Sequence, residues 1–139
     1  MNRRVFDENN KIVNTLDDFP NAMREIAKEE KVYLIDLNAL SKTLFEAMGA
    51  ENAKKAFVHY PANSYPNQPT ALADDTHFNP YGAYELAQCV VKSIVDQNLP
   101  LKKYVSKNYK IFNPNKPDKV EEFHWPESVF MESLKPDGN

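Results

Sequence analysis

Apolar positions along the chain group into short blocks with different periods. Phe19, Met23, Ile26 and Ala27 recur at helical spacing and predict a helix over about 18–30, with Asp17 or Asp18 as its cap and Pro20 in its first turn. Val32-Tyr33-Leu34-Ile35-Asp36-Leu37 is short, nearly continuous in apolar residues and β-rich, the pattern of a parallel strand buried on both faces. Asn38 then suits the cap of a second helix with Leu40, Thr43, Leu44, Ala47 and Met48 on its inner stripe, and Gly49 stands where that helix would end. A short helical piece over about 51–56 leads into a second strand candidate, Phe57-Val58-His59-Tyr60. Residues 61–76 hold three prolines and no regular period, which predicts a long loop. The clearest element is a helix over about 80–96: Asn79 is a strong N-cap, Pro80 fits the first helical position, and Ala83, Leu86, Ala87, Val90, Val91 and Ile94 form an apolar face with Cys89 beside it. Residues 1–17 read as loop. The last forty residues carry five prolines and scattered aromatics, among them Tyr109, Phe112, Phe123, Trp125 and Phe130. They read as an extended tail over 106–139 packed on a domain of residues 1–105.

This order, helix, strand, helix, loop, helix, is an α/β pattern with few strands. A buried parallel strand needs neighbours, because unpaired buried backbone groups cost about as much as lost hydrogen bonds. Only one other strand is legible, so the sequence reads as part of a larger fold.

Composition narrows the function. A length of 139 residues allows one domain. Apolar residues at 42% and charged residues at 27% are an ordinary globular mix. A net charge of −3 argues against a nucleic-acid binder acting through bulk positive charge. No apolar run reaches the ~18 residues of a membrane span, and the charged start has no apolar core after it, so it does not read as a secretory signal. The single Cys89 excludes an internal disulfide framework and a multi-cysteine metal site, and glycines at 49, 82 and 138 alone leave no Gly-rich phosphate loop.

The sharpest chemistry lies in Asp74-Asp75-Thr76-His77-Phe78-Asn79-Pro80-Tyr81-Gly82-Ala83. An Asp three residues before a His in a turn can reach the imidazole Nδ1–H, leaving Nε2 as a base for a hydroxyl nucleophile. The same spacing also fits two aspartates capping a turn beside an ordinary surface histidine. His59, Asp74, Asp75 and His77 can be drawn as a metal cluster, but no pair sits at i, i+4 on a helix and the residues fit an Asp–His couple better. His124 beside Trp125 suits either stacking on a sugar or packing of the tail. Arg3 and Arg4 suit either a polysaccharide cleft or plain solvation. Tyr60, Tyr65 and Pro66 are candidates for shaping a groove.

The string Asp74-x-x-His77-Phe78-x-x-x-Gly82-Ala83, running into an amphipathic helix, resembles the last sequence block of the SGNH (GDSL) hydrolases, and most closely the carbohydrate-esterase branch typified by rhamnogalacturonan acetylesterase. Arg3-Arg4-x-Phe6-Asp7-Glu8-Asn9, Val32-x-Leu34-Ile35-Asp36-Leu37-Asn38, Leu99-Pro100-Leu101, Glu121-Glu122-Phe123 and Lys135-Pro136-Asp137-Gly138-Asn139 resemble neighbouring segments of that family. The resemblance implies a three-layer α/β/α, flavodoxin-like parallel-sheet fold of which this chain holds the C-terminal half, with Met1 an internal methionine used as a start. It implies hydrolysis of acetyl esters on a pectic polysaccharide through an acyl-serine. His77 and Asp74 would be the catalytic residues, Arg3, Arg4 and Tyr65 substrate-binding candidates, with no cofactor and no metal.

The family's Gly-Asp-Ser nucleophile segment and its oxyanion donors have no counterpart here: the serines are 41, 64, 93, 106, 128 and 133, and none follows Gly-Asp. Loss of one oxyanion donor alone costs ~10²–10³ in rate. The chain by itself is therefore expected to be inactive and marginally stable, its partners being an acetylated polysaccharide or small ester, the missing N-terminal half or a second copy of itself, with no nucleic acid and no membrane. The alternative is a non-catalytic remnant or small self-associating module. The sequence leaves the compartment unspecified; full-length members of the family are usually exported.

Overall fold

The computed structural model describes residues 1–125. Its elements are α1 (Phe19–Glu29), α2 (Leu37–Ala53), β1 (Phe57–Tyr60), β2 (Leu72–Phe78) and α3 (Pro80–Asp96), with short 3₁₀ turns at Lys54–Ala56, Pro100–Tyr104 and Val120–Glu122. The chain is a mixture of helix and sheet, as expected, but among the described residues the sheet is one two-stranded antiparallel hairpin rather than a parallel sheet.

The expected buried strand at Val32–Leu37 does not form. Residues 32–36 are an irregular connector, Leu37 already opens α2, and Val32 and Tyr33 are exposed. No strand among the described residues lies alongside, so the run has no ladder; Leu34 and Ile35 are half-buried, and the Leu34 carbonyl accepts from the Gln97 side chain at 2.9 Å instead. The helix cap is also not Asn38: Asp36 accepts from the Ala39 N–H at 2.9 Å, and its carboxyl is held below the usual range first by the Arg24 guanidinium and then by that backbone bond. Arg24 reaches Asp36 at 2.7 Å and Asn38 at 3.1 Å. This polar contact attaches α1 by its charged side. The apolar face read for α1 consequently points outward: Phe19, Met23 and Ile26 are exposed and only Ala27 is buried. Asp18 holds the N-cap position, but its side chain accepts from no backbone N–H.

In α2 the buried stripe is Ser41, Leu44, Phe45 and Met48, so Leu44 and Met48 match the expected face while Ala47 lies outside it. Gly49 interrupts the helical path at φ 75°, a left-handed conformation that glycine adopts without a Cβ penalty. The expected loop 61–76 ends early, because Leu72–Phe78 pairs with β1. Phe45 of α2 meets Phe57 at 5.1 Å and Phe78 at 6.0 Å, and the two strand rings lie 4.8 Å apart. This aromatic trio seats one end of the hairpin on α2 and fixes the level of everything the hairpin carries.

Helix α3 starts as read. The Asn79 side chain accepts from Gly82 N–H at 2.9 Å and donates to the Lys55 and Phe57 carbonyls, tying the helix start to β1. A Cβ on Gly82 would sit 2.0 Å from the Ala56 carbonyl oxygen, so glycine here is a packing requirement. The buried face is Tyr81, Gly82, Glu85, Leu86, Cys89 and Ser93; Ala83 and Ala87 are exposed, a rotation from the expected face that brings Glu85 inside. Tyr109, Phe112, Val120 and Phe123 of the tail pack on the core, and the Tyr81 hydroxyl donates to the Asp118 carbonyl at 2.6 Å. Phe130 and the Lys135–Asn139 segment lie outside the described residues.

Candidate active site on a bulged hairpin

The hairpin register is irregular where the chemistry sits. Phe57 pairs with Phe78, but the next residue, Val58, pairs with Asp74. One step along β1 is answered by four along β2, so residues 75–77 are extra. Such bulges bend the strand and re-aim side chains.

Asp74 organises the bulge from inside. One carboxylate oxygen accepts from the Thr76 and His77 backbone N–H groups at 2.7 and 2.9 Å, and the other lies 2.7 Å from His77 Nδ1. The backbone bond from His77, then its imidazole and the Thr76 amide, hold the Asp74 carboxyl down to about 2. An ionised Asp74 only accepts, so Nδ1 carries the proton, and on a neutral ring Nε2 is left with its lone pair. The His77 side chain is 77% exposed, which leaves that lone pair accessible. Chemically the arrangement is an oriented base: it can accept a proton from a hydroxyl, and the adjacent carboxylate stabilises the imidazolium that results.

The neighbouring residue makes a second couple. Asp75 Oδ1 accepts from His59 Nε2 at 2.7 Å and from Arg4 Nε at 2.6 Å. Burial pushes the Asp75 carboxyl up, but the Arg4 and His59 hydrogen bonds outweigh it, and the net position is below the usual carboxylate range. The structure therefore sorts the four residues drawn as a metal cluster into two separate pairs, and among the described residues no group of three or more His, Cys, Asp or Glu converges on one point.

Of the substrate-binding candidates, Arg4 is committed: besides Asp75, it donates to the Ala50 carbonyl at 3.1 Å. Arg3 is exposed at the surface. Tyr65 packs edge-on against Tyr60 at 5.1 Å, at the Tyr60–Leu72 end of the hairpin, opposite the end that carries His77. Burial, with Tyr65 next, pushes the Tyr60 hydroxyl up to about 12. Trp125 packs on Phe123, and His124 and Trp125 line a groove of about 1010 Å³ between α3 and the tail; no residue of the hairpin lines it. Among the described residues no hydrogen bond joins a serine to His77. Ser41 is buried against Asn2, Ser64 donates to the Pro61 carbonyl, and Ser93 and Ser106 bond locally. Ser128 and Ser133 lie outside the described residues. The role of His59 was missed in the sequence; the available signal was its position two residues after Phe57 in a strand able to pair with the Asp74-Asp75 segment.

The fold and site together define a mixed α/β chain that presents a carboxylate-oriented histidine from a strand bulge at the foot of a capped helix. Its relatives narrow that class. Over 103 residues, 74% of this chain, it is 46% identical to rhamnogalacturonan acetylesterase RhgT of Bacillus subtilis (strain 168), covering 44% of that protein. Over 100 residues, 72% of this chain, it is 35% identical to the probable rhamnogalacturonan acetylesterase YesY of the same organism, covering 42%. The chain is thus a partial relative of the rhamnogalacturonan acetylesterases and spans less than half the length of either protein. No family model and no solved structure matches.

Proposed function

We propose that this chain is the C-terminal portion of an SGNH-type carbohydrate acetylesterase and supplies the His77–Asp74 half of a Ser-His-Asp triad. The observation that carries the reading is the 2.7 Å contact between Asp74 and His77 Nδ1 on a bulge that leaves the rest of the ring in solvent. His77 Nε2 takes the proton from a serine hydroxyl as its oxygen attacks an acetyl carbonyl. It then returns that proton to the departing sugar oxygen, leaving an acyl-serine. Water hydrolyses that intermediate with the same base. Asp74 holds the tautomer throughout. The substrate class is an acetylated pectic polysaccharide such as rhamnogalacturonan, supported by the names of the two relatives. No cofactor or metal takes part.

The serine and its oxyanion donors have no counterpart in these 139 residues, so the chain alone hydrolyses no ester. The test is hydrolysis of 4-nitrophenyl acetate by the purified chain beside His77→Ala. Both proteins stay at the buffer rate on this reading; turnover that His77→Ala abolishes would mean that the chain is catalytically complete.

A second reading, a self-associating module without catalysis, is favoured by a different observation. Phe19, Met23, Ile26, Val32 and Tyr33 are each between 55% and 74% exposed along α1 and the connector that follows. Sedimentation velocity of the chain and of Met23→Lys separates the two: loss of a defined oligomer in the variant supports the module, and a monomer in both removes it.

A further inference from the structure

The bulge that carries His77 is not the register the two strands would adopt by default. Regular antiparallel pairing continued from Phe57–Phe78 would set Val58 opposite His77 and His59 opposite Thr76. Asp74 would then lose its turn. Because side chains alternate faces along a strand, a slip in register re-aims each of them. Inside the bulge, Asp74 bonds residues 76 and 77. Residue 75 is held only from outside, and by three groups of distant origin. The Arg4 backbone N–H donates to the Asp75 carbonyl at 2.9 Å, and the Arg4 guanidinium and His59 Nε2 both reach Asp75 Oδ1. Arg4 is in turn anchored on the Ala50 carbonyl just beyond the Gly49 break in α2, and its side chain is only 14% exposed. In the bulged register His59 faces Ala73, from which it reaches Asp75, two residues further along β2.

We propose that Arg4, His59 and Asp75 form a register lock: positioning residues that hold the β2 bulge open and so keep His77 against Asp74. The lock rests on the reading of His77 as an Asp74-oriented base. It gives Arg4 a structural partner in place of a substrate, and it accounts for two Asp–His couples on consecutive aspartates. The two histidines differ in access: the His77 side chain is 77% exposed and that of His59 21%. The Asp75 couple acts through the Asp74 couple. Losing a hydrogen bond to a charged group inside the lock is worth at least about a tenfold change in the population it selects.

The test is the His77 tautomer in the ¹⁵N-labelled chain, read by long-range ¹H–¹⁵N NMR at a pH where the ring is neutral. In the wild type the proton sits on Nδ1. Asp75→Asn lowers the ratio of Nδ1–H to Nε2–H forms at His77 about tenfold, and His59→Leu does the same. His59→Gln, which keeps an N–H for Asp75, restores the wild-type ratio. Residues that only stabilised the fold would lower the melting temperature and leave the tautomer alone. An unchanged ratio in Asp75→Asn and His59→Leu overturns the lock while leaving the Asp74–His77 couple intact. A wild-type His77 without the Nδ1 proton overturns the couple itself, and the lock with it. Should Asp75→Asn fail to fold, the His59→Leu and His59→Gln pair decides alone.

Discussion

Replacing Glu85 with glutamine should remove a pH-dependent weakness from the core. Glu85 has no solvent exposure; one carboxyl oxygen has no partner, and the other accepts from the Asp118 N–H at a long 3.3 Å. Burial first, and the nearby Asp118 carboxylate second, push its pKa from 4.5 up to about 7. The folded pKa lies above the unfolded one. Between about pH 4.5 and 7 the folded chain therefore holds more protons, and stability falls as pH rises through that window. A difference of about 2.5 units at 1.36 kcal/mol per unit makes the loss about 3 kcal/mol between pH 4 and pH 8. Glutamine has no proton to lose. The Glu85→Gln variant should gain about 3 kcal/mol on the wild type in going from pH 4 to pH 8, a gap of about 10 °C in melting temperature for a chain of this size. Urea unfolding of both proteins at the two pH values measures it. An equal gap at both pH values would show that Glu85 ionises freely in the folded chain and would refute the buried-acid argument.

Other expectations follow from single contacts. Gly82→Ala forces the Ala56 carbonyl and the start of α3 apart and should cost about 1–3 kcal/mol in urea unfolding; an unchanged midpoint would contradict the close approach. Asp74 is held at about 2 against an ordinary 3.8, so its contribution is fully present above pH 4 and lost as pH falls through about 2; the Thr76 and His77 amide resonances should shift together over that window, and independent titration would contradict their shared acceptor. His77→Ala, at an exposed position, should leave unfolding free energy within about 0.5 kcal/mol of wild type, which separates any effect on hydrolysis from an effect on folding.

What was legible in the sequence was local. Asn79-Pro80 announces α3 because capping chemistry is decided within four residues. Asp74 and His77 meet because a turn brings i and i+3 together. What failed depended on neighbours. Val32–Leu37 has the composition of a buried strand, but burial requires another strand beside it, and among the described residues there is none. The apolar stripe of α1 is real, yet Arg24 and Asp36 decide which side faces the body. The strand Leu72–Phe78 was hidden because Asp-Asp-Thr-His lacks β-branched alternation; three of its residues stand outside the ladder. The turn of α3 that buries Glu85 and Ser93 departs from hydrophobic periodicity, which sees only apolar positions. Arg4 looked like a free cation because its partner lies 71 residues away.

On the function proposed above, His77, oriented by Asp74, is the base of an ester hydrolase whose nucleophile lies outside these 139 residues. The direct measurement is 4-nitrophenyl acetate hydrolysis by this chain joined behind the N-terminal half of RhgT, the half to which the proposed function assigns the nucleophile, with His77→Ala as the control. Turnover well above buffer that falls by at least about 10³ in the variant is the expected result. A folded fusion whose hydrolysis is indifferent to His77→Ala would overturn the assignment of His77 as the base.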